Sequence, residues 1–225
     1  MTMKTVTLDP SAINPMGLLT AKISGTTSLI QNRFSKRKVG VVCGGMKGEA
    51  KKARPPKNPE ADFLDAIHWI GPEPKDIEEF RRKNSWRYGI PAVAFKGAMI
   101  RMGKQSGMKM VDSRVLFFVR DGNNGLVEIK AKKPFMREDR VRVQKSMDVR
   151  HRPEFQDWSA TVVIEYNARN ITGQQLAALL IEAGKCNGIG DWRPGGTDST
   201  GTHGCWGVVS CKVSEPDFTK IDGGA

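Results

Sequence analysis

The strongest constraint on the fold of this 225-residue chain is a strand–helix–strand pattern near its C-terminus. Apolar and polar residues alternate along Ser159–Tyr166, as in a half-buried strand. Thr172-Gly-Gln-Gln175 then fits a capping box, in which the threonine begins a helix and the glutamine reaches back to it. The helix carries an apolar stripe and is expected to end at Gly184, and Trp206–Val213 follows as the last strand. This pattern requires a sheet against which the helix packs.

The first 130 residues contain a similar set of elements. Gly17–Ser24 alternates like a half-buried strand, and Ala92–Lys104 has the apolar spacing of a helix. The apolar run Val115–Val119 is typical of a central strand, and the turn Asp121–Gly125 predicts a hairpin that returns through Leu126–Lys130. The order of these elements predicts an α+β fold of the RRM-like or ferredoxin-like type, with two helices on one face of an antiparallel sheet.

We expect one RRM-like domain over residues 1–225, with insertions at 33–90 and 120–157 and a loosely held tail at 214–225. The first insertion opens with a basic loop, 33–58, in which Glu49 is the only acidic residue. This loop has little apolar area to bury, so it is either a solvated linker or a segment that becomes ordered on a phosphate backbone. Its basic residues are Arg33, Lys36, Arg37, Lys38, Lys47, Lys51, Lys52, Arg54 and Lys57.

The net charge of +12 favours a polyanionic partner, and nucleic acid is the first candidate. An alternative is a surface that is basic without being a binding site. Neither apolar stretch, Gly89–Ile100 or Leu176–Ala183, is long enough to span a bilayer, and the N-terminus lacks a secretory signal pattern. The four cysteines are too few to form a disulfide scaffold in a chain of this length. We therefore expect a cytoplasmic protein with reduced thiols and no membrane partner.

Three segments place cations beside aromatic rings, namely Trp86–Tyr88, Lys132–Arg137 and Arg150–Phe155. Cations bind phosphates, and aromatic rings stack on unpaired bases. The competing interpretation is that Trp86, Phe155 and Trp158 pack in the core. The sequence leaves both interpretations open.

Signatures of catalysis, metal binding or nucleotide-cofactor binding are weak. Gly40–Gly48 lacks the Walker spacing, and His203 and Cys205 lack the CxxC pair typical of zinc sites. His68 is expected to be a partly buried packing residue, and His151 is a minor candidate for acid–base catalysis. No cofactor and no metal are predicted.

Two segments resemble the RAMP (repeat-associated mysterious protein) superfamily. Ile90-Pro-Ala-Val-Ala-Phe-Lys-Gly-Ala-Met-Ile-Arg101 is similar to its helix-start signature, and Gly188-Ile-Gly-Asp-Trp-Arg-Pro194 with Gly204-Cys-Trp-Gly207 is similar to the glycine-rich loop before its last strand. Gly25-Thr-Thr-Ser-Leu29 also fits its first strand and turn. The chain looks most like the backbone subunit of CRISPR effector complexes, a family with an RRM-like core that coats guide RNA. The resemblance implies that Lys96 and Arg101 face an RNA backbone, and that Gly188 and Gly190 allow its close approach.

We therefore expect a non-catalytic subunit that coats single-stranded RNA as a homo-oligomer, with other effector-complex subunits as further candidate partners. The alternatives are a phage single-stranded DNA-binding or annealing protein, an RNA endonuclease, and a mimic that blocks a CRISPR complex. The predicted nucleic-acid contacts are Arg33, Lys36, Arg37, Lys38, Lys51, Lys52, Arg54, Lys96, Arg101, Lys104, Lys109, Arg137, Arg150, Arg152, Gly188, Gly190, Trp192 and Arg193.

Overall fold

A computed structural model of the protein describes residues 15–34, 58–143, 146–196 and 201–216, without the side chains of residues 142, 143 and 146. The elements in chain order are β1 (Met16–Gly25), β2 (Leu29–Ile30), α1 (Pro59–Asp65), α2 (Ile77–Arg82), β3 (Tyr88–Pro91), α3 (Ala92–Gln105), α4 (Met110–Leu116), β4 (Phe117–Val119), β5 (Leu126–Lys130), β6 (Phe135–Val143), β7 (Ser146–Phe155), β8 (Ser159–Asn167), α5 (Gly173–Cys186) and β9 (Trp206–Ser214).

The predicted α+β architecture is confirmed. The main sheet is antiparallel, with the strand order β3–β5–β8–β1–β9, and β4 pairs with a second stretch of β8. One face of the sheet is buried beneath the two long helices α3 and α5, which also contact each other. On this face the ring of Phe95 from α3 packs edge-on against Trp206 from β9, with ring centroids 5.5 Å apart. The two helices therefore lie side by side, and the segments that flank them are brought together.

The helix α5 begins as predicted and ends later than predicted. Thr172 Oγ1 accepts a hydrogen bond from the Gln175 amide at 3.1 Å, and Gln175 Oε1 accepts one from the Thr172 amide at 3.0 Å. Gly184 does not end the helix, because α5 continues to Cys186. Gly184 is instead buried against Trp206, where a Cβ atom would lie 2.5 Å from the Trp206 carbonyl oxygen. The glycine allows close helix–strand packing.

The predicted central strand at Val115–Val119 was wrong. Val115 belongs to α4 and is 65% exposed, and only Phe117–Val119 is a strand. The turn at Asp121–Gly125 forms, with Asn124 and Gly125 in the left-handed region. However, β4 and β5 do not pair with each other as a hairpin, since both pair with β8.

A second, three-stranded sheet has the order β2–β7–β6, and β6 and β7 form a long hairpin within the predicted insertion 120–157. Phe155 at the end of β7 contacts Tyr88 of β3, with ring centroids 5.1 Å apart. Tyr88 in turn joins an aromatic cluster with Trp69, Phe80 and Trp86. These contacts place Phe155 within the packed interior, where Trp158 is also fully buried, and the partly buried Trp86 packs against that interior. None of the described helices has the length and apolar character needed to cross a bilayer.

Candidate nucleic-acid interface

A groove in the described structure lies between α3 and the glycine-rich loop that follows α5. Its volume is about 360 Å³. One wall is formed by α3, and the opposite wall by the loop and the segment after β2. The lining residues are Gln31, Asn32, His68, Ile90, Pro91, Val93, Ala94, Gly97, Ala98, Arg101, Asn187, Gly188, Ile189, Gly190, Asp191, Arg193 and Gly195. The structure thus brings the two segments that resemble the RAMP superfamily together around one groove.

Backbone hydrogen bonds and one buried side chain hold the glycine-rich loop in place. The amide of Asp191 donates to the carbonyl of Ile30 at 2.8 Å, which ties the loop to β2. Asn187 is buried, and its Nδ2 donates to the Ala98 carbonyl of α3 at 2.8 Å. Gly190 has a φ of +79°, and a Cβ atom there would collide with the Ile30 carbonyl oxygen, so this close approach requires glycine.

The two predicted cations of α3 do not act together. Arg101 lines the groove and is half-buried. Lys96 points elsewhere, since its Nζ lies 4.2 Å from the ring centroid of Phe118, and burial lowers the pKa of Lys96. Five residues along a helix correspond to a rotation of about 140° around its axis, which explains the separation. The predicted pairing of Lys96 with Arg101 as one phosphate clamp is therefore corrected, and Arg101 remains.

Of the other basic candidates of α3 and the loop, Lys104 and Lys109 do not line the groove, whereas Arg193 does. Lys104 is exposed in the last turn of α3, and Lys109 is exposed just before α4. Arg193 lines the groove, and its Nη1 donates to the Gly190 carbonyl at 2.7 Å. Arg193 therefore braces the loop while it faces the groove.

Gly97 is the feature of α3 that the fold does not explain. It lies in the middle of a 14-residue helix and faces the groove. A Cβ atom at Gly97 would meet nothing within 4 Å. Glycine in a helix interior is less favourable than alanine by about 1 kcal/mol, so the position lacks a side chain at a cost in stability. The structure provides no internal packing reason for that absence.

The wall opposite α3 carries neutral and acidic groups. Asn32 Nδ2 donates to Asp191 Oδ2 at 3.2 Å, and His68 also lines the groove. Burial, aided by the positive charge of Arg33, lowers the pKa of His68 to about 4. His68 is therefore uncharged at neutral pH, and it contributes hydrogen-bonding capacity rather than charge. Asn32 and Asp191 were not predicted from the sequence, because isolated polar residues in loops carry no periodic signal.

Behind the loop, several residues that were predicted to contact nucleic acid instead form a cluster of ion pairs within the protein. The side chain of Arg152 is only 3% exposed, and it pairs with Asp139 and Asp191, each at 3.3 Å. Arg137 pairs with Asp139 at 2.7 Å and with Glu154 at 3.0 Å. Arg152 is therefore not accessible to a phosphate, and the prediction that it contacts nucleic acid is corrected. The charge of Arg137 is therefore largely compensated by Asp139 and Glu154.

Trp192 belongs to the same cluster. Its ring lies beneath the guanidinium groups of Arg137 and Arg152, whose Cζ atoms are 5.0 and 5.7 Å from the ring centroid. The residue adopts a φ of +54°, which is uncommon for a non-glycine residue. The ring is held by these arginines and does not line the groove, so a base-stacking role for Trp192 is not supported by its position.

The remaining candidates are scattered. Arg33 forms a two-pronged pair with Glu73, at 2.8 and 3.1 Å, and its Nε donates to the Asp65 carbonyl. Arg150 lies 3.8 Å from Asp148 on the hairpin. The other predicted loop residues lie outside the described residues; these are Lys36, Arg37, Lys38, Lys51, Lys52 and Arg54.

The histidine and cysteine candidates form no metal-binding cluster within the described part of the chain. His203 Nδ1 lies 3.0 Å from Ser28 Oγ, which donates to Glu154 at 2.6 Å. His151 lies on β7 with its Nε2 3.5 Å from Glu138. Neither histidine lines the groove.

Among the comparisons with known proteins, only the comparison of structures found a similarity. No protein-family model matches the chain, and no curated protein sequence matches it. The chain is similar in structure to one from the cryo-EM structure of the type III-B Cmr-beta bound to cognate target RNA, with 11% sequence identity and a TM-score of 0.45. The similarity covers 89% of this chain and 61% of that one, so this chain spans less than two thirds of its length.

Proposed function

We propose that this protein is a non-catalytic subunit that binds the sugar–phosphate backbone of single-stranded RNA in the groove between α3 and the glycine-rich loop. The observation that carries the proposal is the open surface at Gly97, opposite Gly188 and Gly190. Glycine permits close approach of a ligand to the protein backbone, and here four glycines line one groove. Arg101 provides a cation on the same α3 wall.

The proposed binding is independent of base sequence. The described lining contains no aromatic side chain on which a base could stack, other than the imidazole of His68. An arginine such as Arg101 favours phosphates of any sequence. Each phosphate neutralised by a cation releases counterions, so the affinity should fall steeply as salt increases. The net charge of +12 supports the same dependence.

Replacing Arg101 by alanine tests the proposal. Arg101→Ala should weaken binding of unrelated single-stranded sequences to a similar degree, and it should lower the slope of log affinity against log salt by about one. Arg82→Ala is the matched control, because Arg82 is an exposed arginine of α2 that does not line the groove. Fluorescence anisotropy with labelled strands at several salt concentrations measures both quantities. Equal losses in the two variants would contradict the assignment of the groove.

We further propose that copies of the protein bind side by side along one strand, as the resemblance to a guide-RNA-coating subunit implies. The same titration with strands of increasing length, followed by sedimentation, counts the copies bound. A stepwise rise in stoichiometry with strand length supports the proposal, and one copy at all lengths contradicts it.

A further inference from the structure

One wall of the groove does not suit a ligand made of phosphates alone. The α3 wall carries Arg101, whereas the opposite wall carries the carboxylate of Asp191 beside Asn32 and His68. The side chain of Asp191 is 30% exposed. A bare carboxylate repels a polyanion, and the repulsion is offset by a compensating charge nearby or by a hydrogen-bond donor on the ligand.

The compensating charge is inside the protein. Arg152 Nε lies 3.3 Å from Asp191 Oδ2, and Asn32 Nδ2 donates to the same oxygen at 3.2 Å. The backbone amide of Asp191 is fixed to Ile30 at 2.8 Å. The carboxylate is thus paired on its inner side and held in one orientation.

The outer side of the carboxylate retains acceptor capacity. An ionised carboxylate has two oxygens and about four sites that accept hydrogen bonds. Among the described residues, Asn32 Nδ2 donates a hydrogen bond to Oδ2 and Arg152 forms an ion pair with the same oxygen, whereas no donor is placed at Oδ1. The Oδ1 atom is therefore available to a donor in the groove. Its neighbour His68 is an uncharged imidazole, which adds a donor and an acceptor without attracting or repelling phosphates.

Within the sugar–phosphate backbone, which the proposed function places in this groove, only one group can donate this hydrogen bond. The phosphodiester group offers only acceptors, and deoxyribose has no hydroxyl within a continuous strand. The 2′-hydroxyl of RNA is the one sugar group of a continuous strand that donates a hydrogen bond. We infer that Asp191, oriented by Asn32, accepts a hydrogen bond from a ribose 2′-hydroxyl, so that the groove selects RNA over DNA. This inference rests on the proposed function, since it assumes that the strand occupies this groove.

The first test uses the unmodified protein and four strands of one sequence. These are single-stranded RNA, single-stranded DNA, 2′-O-methyl RNA and 2′-fluoro RNA. RNA should bind about tenfold or more tightly than the other three, because hydrogen bonds to charged groups are among the stronger ones. The 2′-fluoro strand keeps an RNA-like sugar but lacks the donor. If it binds as tightly as RNA, recognition depends on strand shape and the inference is overturned.

The second test assigns the selectivity to a residue. Asp191→Asn should reduce RNA affinity towards that of DNA and leave DNA affinity unchanged or slightly higher. Glu78→Gln is the control for loss of one negative charge, since Glu78 is 76% exposed on α2. Asn32→Ala tests the same carboxylate without removing the partner of Arg152, and it serves if Asp191→Asn folds poorly. Full RNA preference in both variants would overturn the assignment.

The outcomes separate this inference from the proposed function. Equal affinity for RNA and DNA, with both lost in Arg101→Ala, would leave the binding groove in place and refute the selectivity. Binding that is insensitive to Arg101→Ala would refute the groove itself. A selectivity that disappears only in the variants of Asp191 or Asn32 supports both.

Discussion

Substitutions at Gly97 distinguish an effect on the stability of the fold from an effect on the affinity for the ligand. Gly97→Ala adds a methyl group into open space within α3, because no atom lies within 4 Å of the added Cβ. Alanine is favoured over glycine in a helix interior by about 1 kcal/mol. For a protein of this size, a gain of 1 kcal/mol raises Tm by roughly 2–4 °C. Gly97→Ala should therefore be more stable than the unmodified protein.

A larger side chain at the same position should stabilise the helix and block the groove. We expect Gly97→Leu to retain a Tm at or above that of the unmodified protein and to lose at least about tenfold in affinity for single-stranded RNA, which corresponds to about 1.4 kcal/mol. Ala178→Leu is the control, because it adds an exposed leucine to α5 away from the groove lining. Differential scanning fluorimetry and anisotropy titration measure the two effects.

Two results would refute this reasoning. A lower Tm for Gly97→Ala would mean that the fold itself requires glycine at this position. Unchanged RNA affinity in Gly97→Leu would mean that the ligand does not approach α3 there. The combination of a stabilised helix and a weakened complex is expected only if the missing side chain serves the ligand.

Two further predictions concern the fold around the groove. Gly184→Ala should lower Tm despite its better helix propensity, because its Cβ would lie 2.5 Å from the Trp206 carbonyl oxygen; a rise in Tm similar to that of Gly97→Ala would contradict the packing described for α5. His68 should make folding sensitive to acid, because its pKa is about 4 in the folded protein against 6.5 for an unperturbed histidine. The unfolded chain therefore binds a proton first, and the free energy of unfolding falls as pH decreases from about 6.5 to 4. The free energy of unfolding should fall by at most about 3 kcal/mol over this range. In His68→Gln, the free energy of unfolding measured by urea denaturation should depend less on pH between these values. An unchanged pH dependence would show that His68 is not the group responsible.

The parts of the fold that the sequence predicted correctly are those in which burial follows a period. β1 alternates the fully or nearly fully buried Leu19, Ala21 and Ile23 with more exposed neighbours, and the stripe of α5 has helical spacing. The hairpin of β6 and β7 was not fully predicted, because its burial does not follow a hydrophobic period. Its buried positions include Asp139, Arg152 and Glu154, and buried ion pairs do not produce a hydrophobic pattern.

Only some residues of the candidate groove could be predicted from the sequence, because the others come together only in the folded chain. The glycine-rich loop and Arg101 were identified through the family resemblance, and the structure brings them to one groove. Lys96 was placed wrongly there, because a difference of five residues turns the side chain away from the groove. Asn32, His68 and Asp191 come from three separate segments, and their proximity depends on the loop being tied to β2. No local pattern in the sequence encodes that proximity.

The buried charges explain how the loop is kept in position. A glycine-rich segment has high conformational entropy when it is free, and ordering it upon binding would reduce the affinity for any ligand. Arg152 joins β7 to Asp191, and Asn187 joins the loop to α3, so the loop is fixed at both ends of Gly188–Gly190. The basic and aromatic segment that the sequence analysis assigned to nucleic-acid contact at Arg152 thus acts from behind the groove. It holds the loop backbone in one conformation, so that a bound ligand would not have to order the loop. We therefore expect little of the binding free energy to be lost to loop ordering.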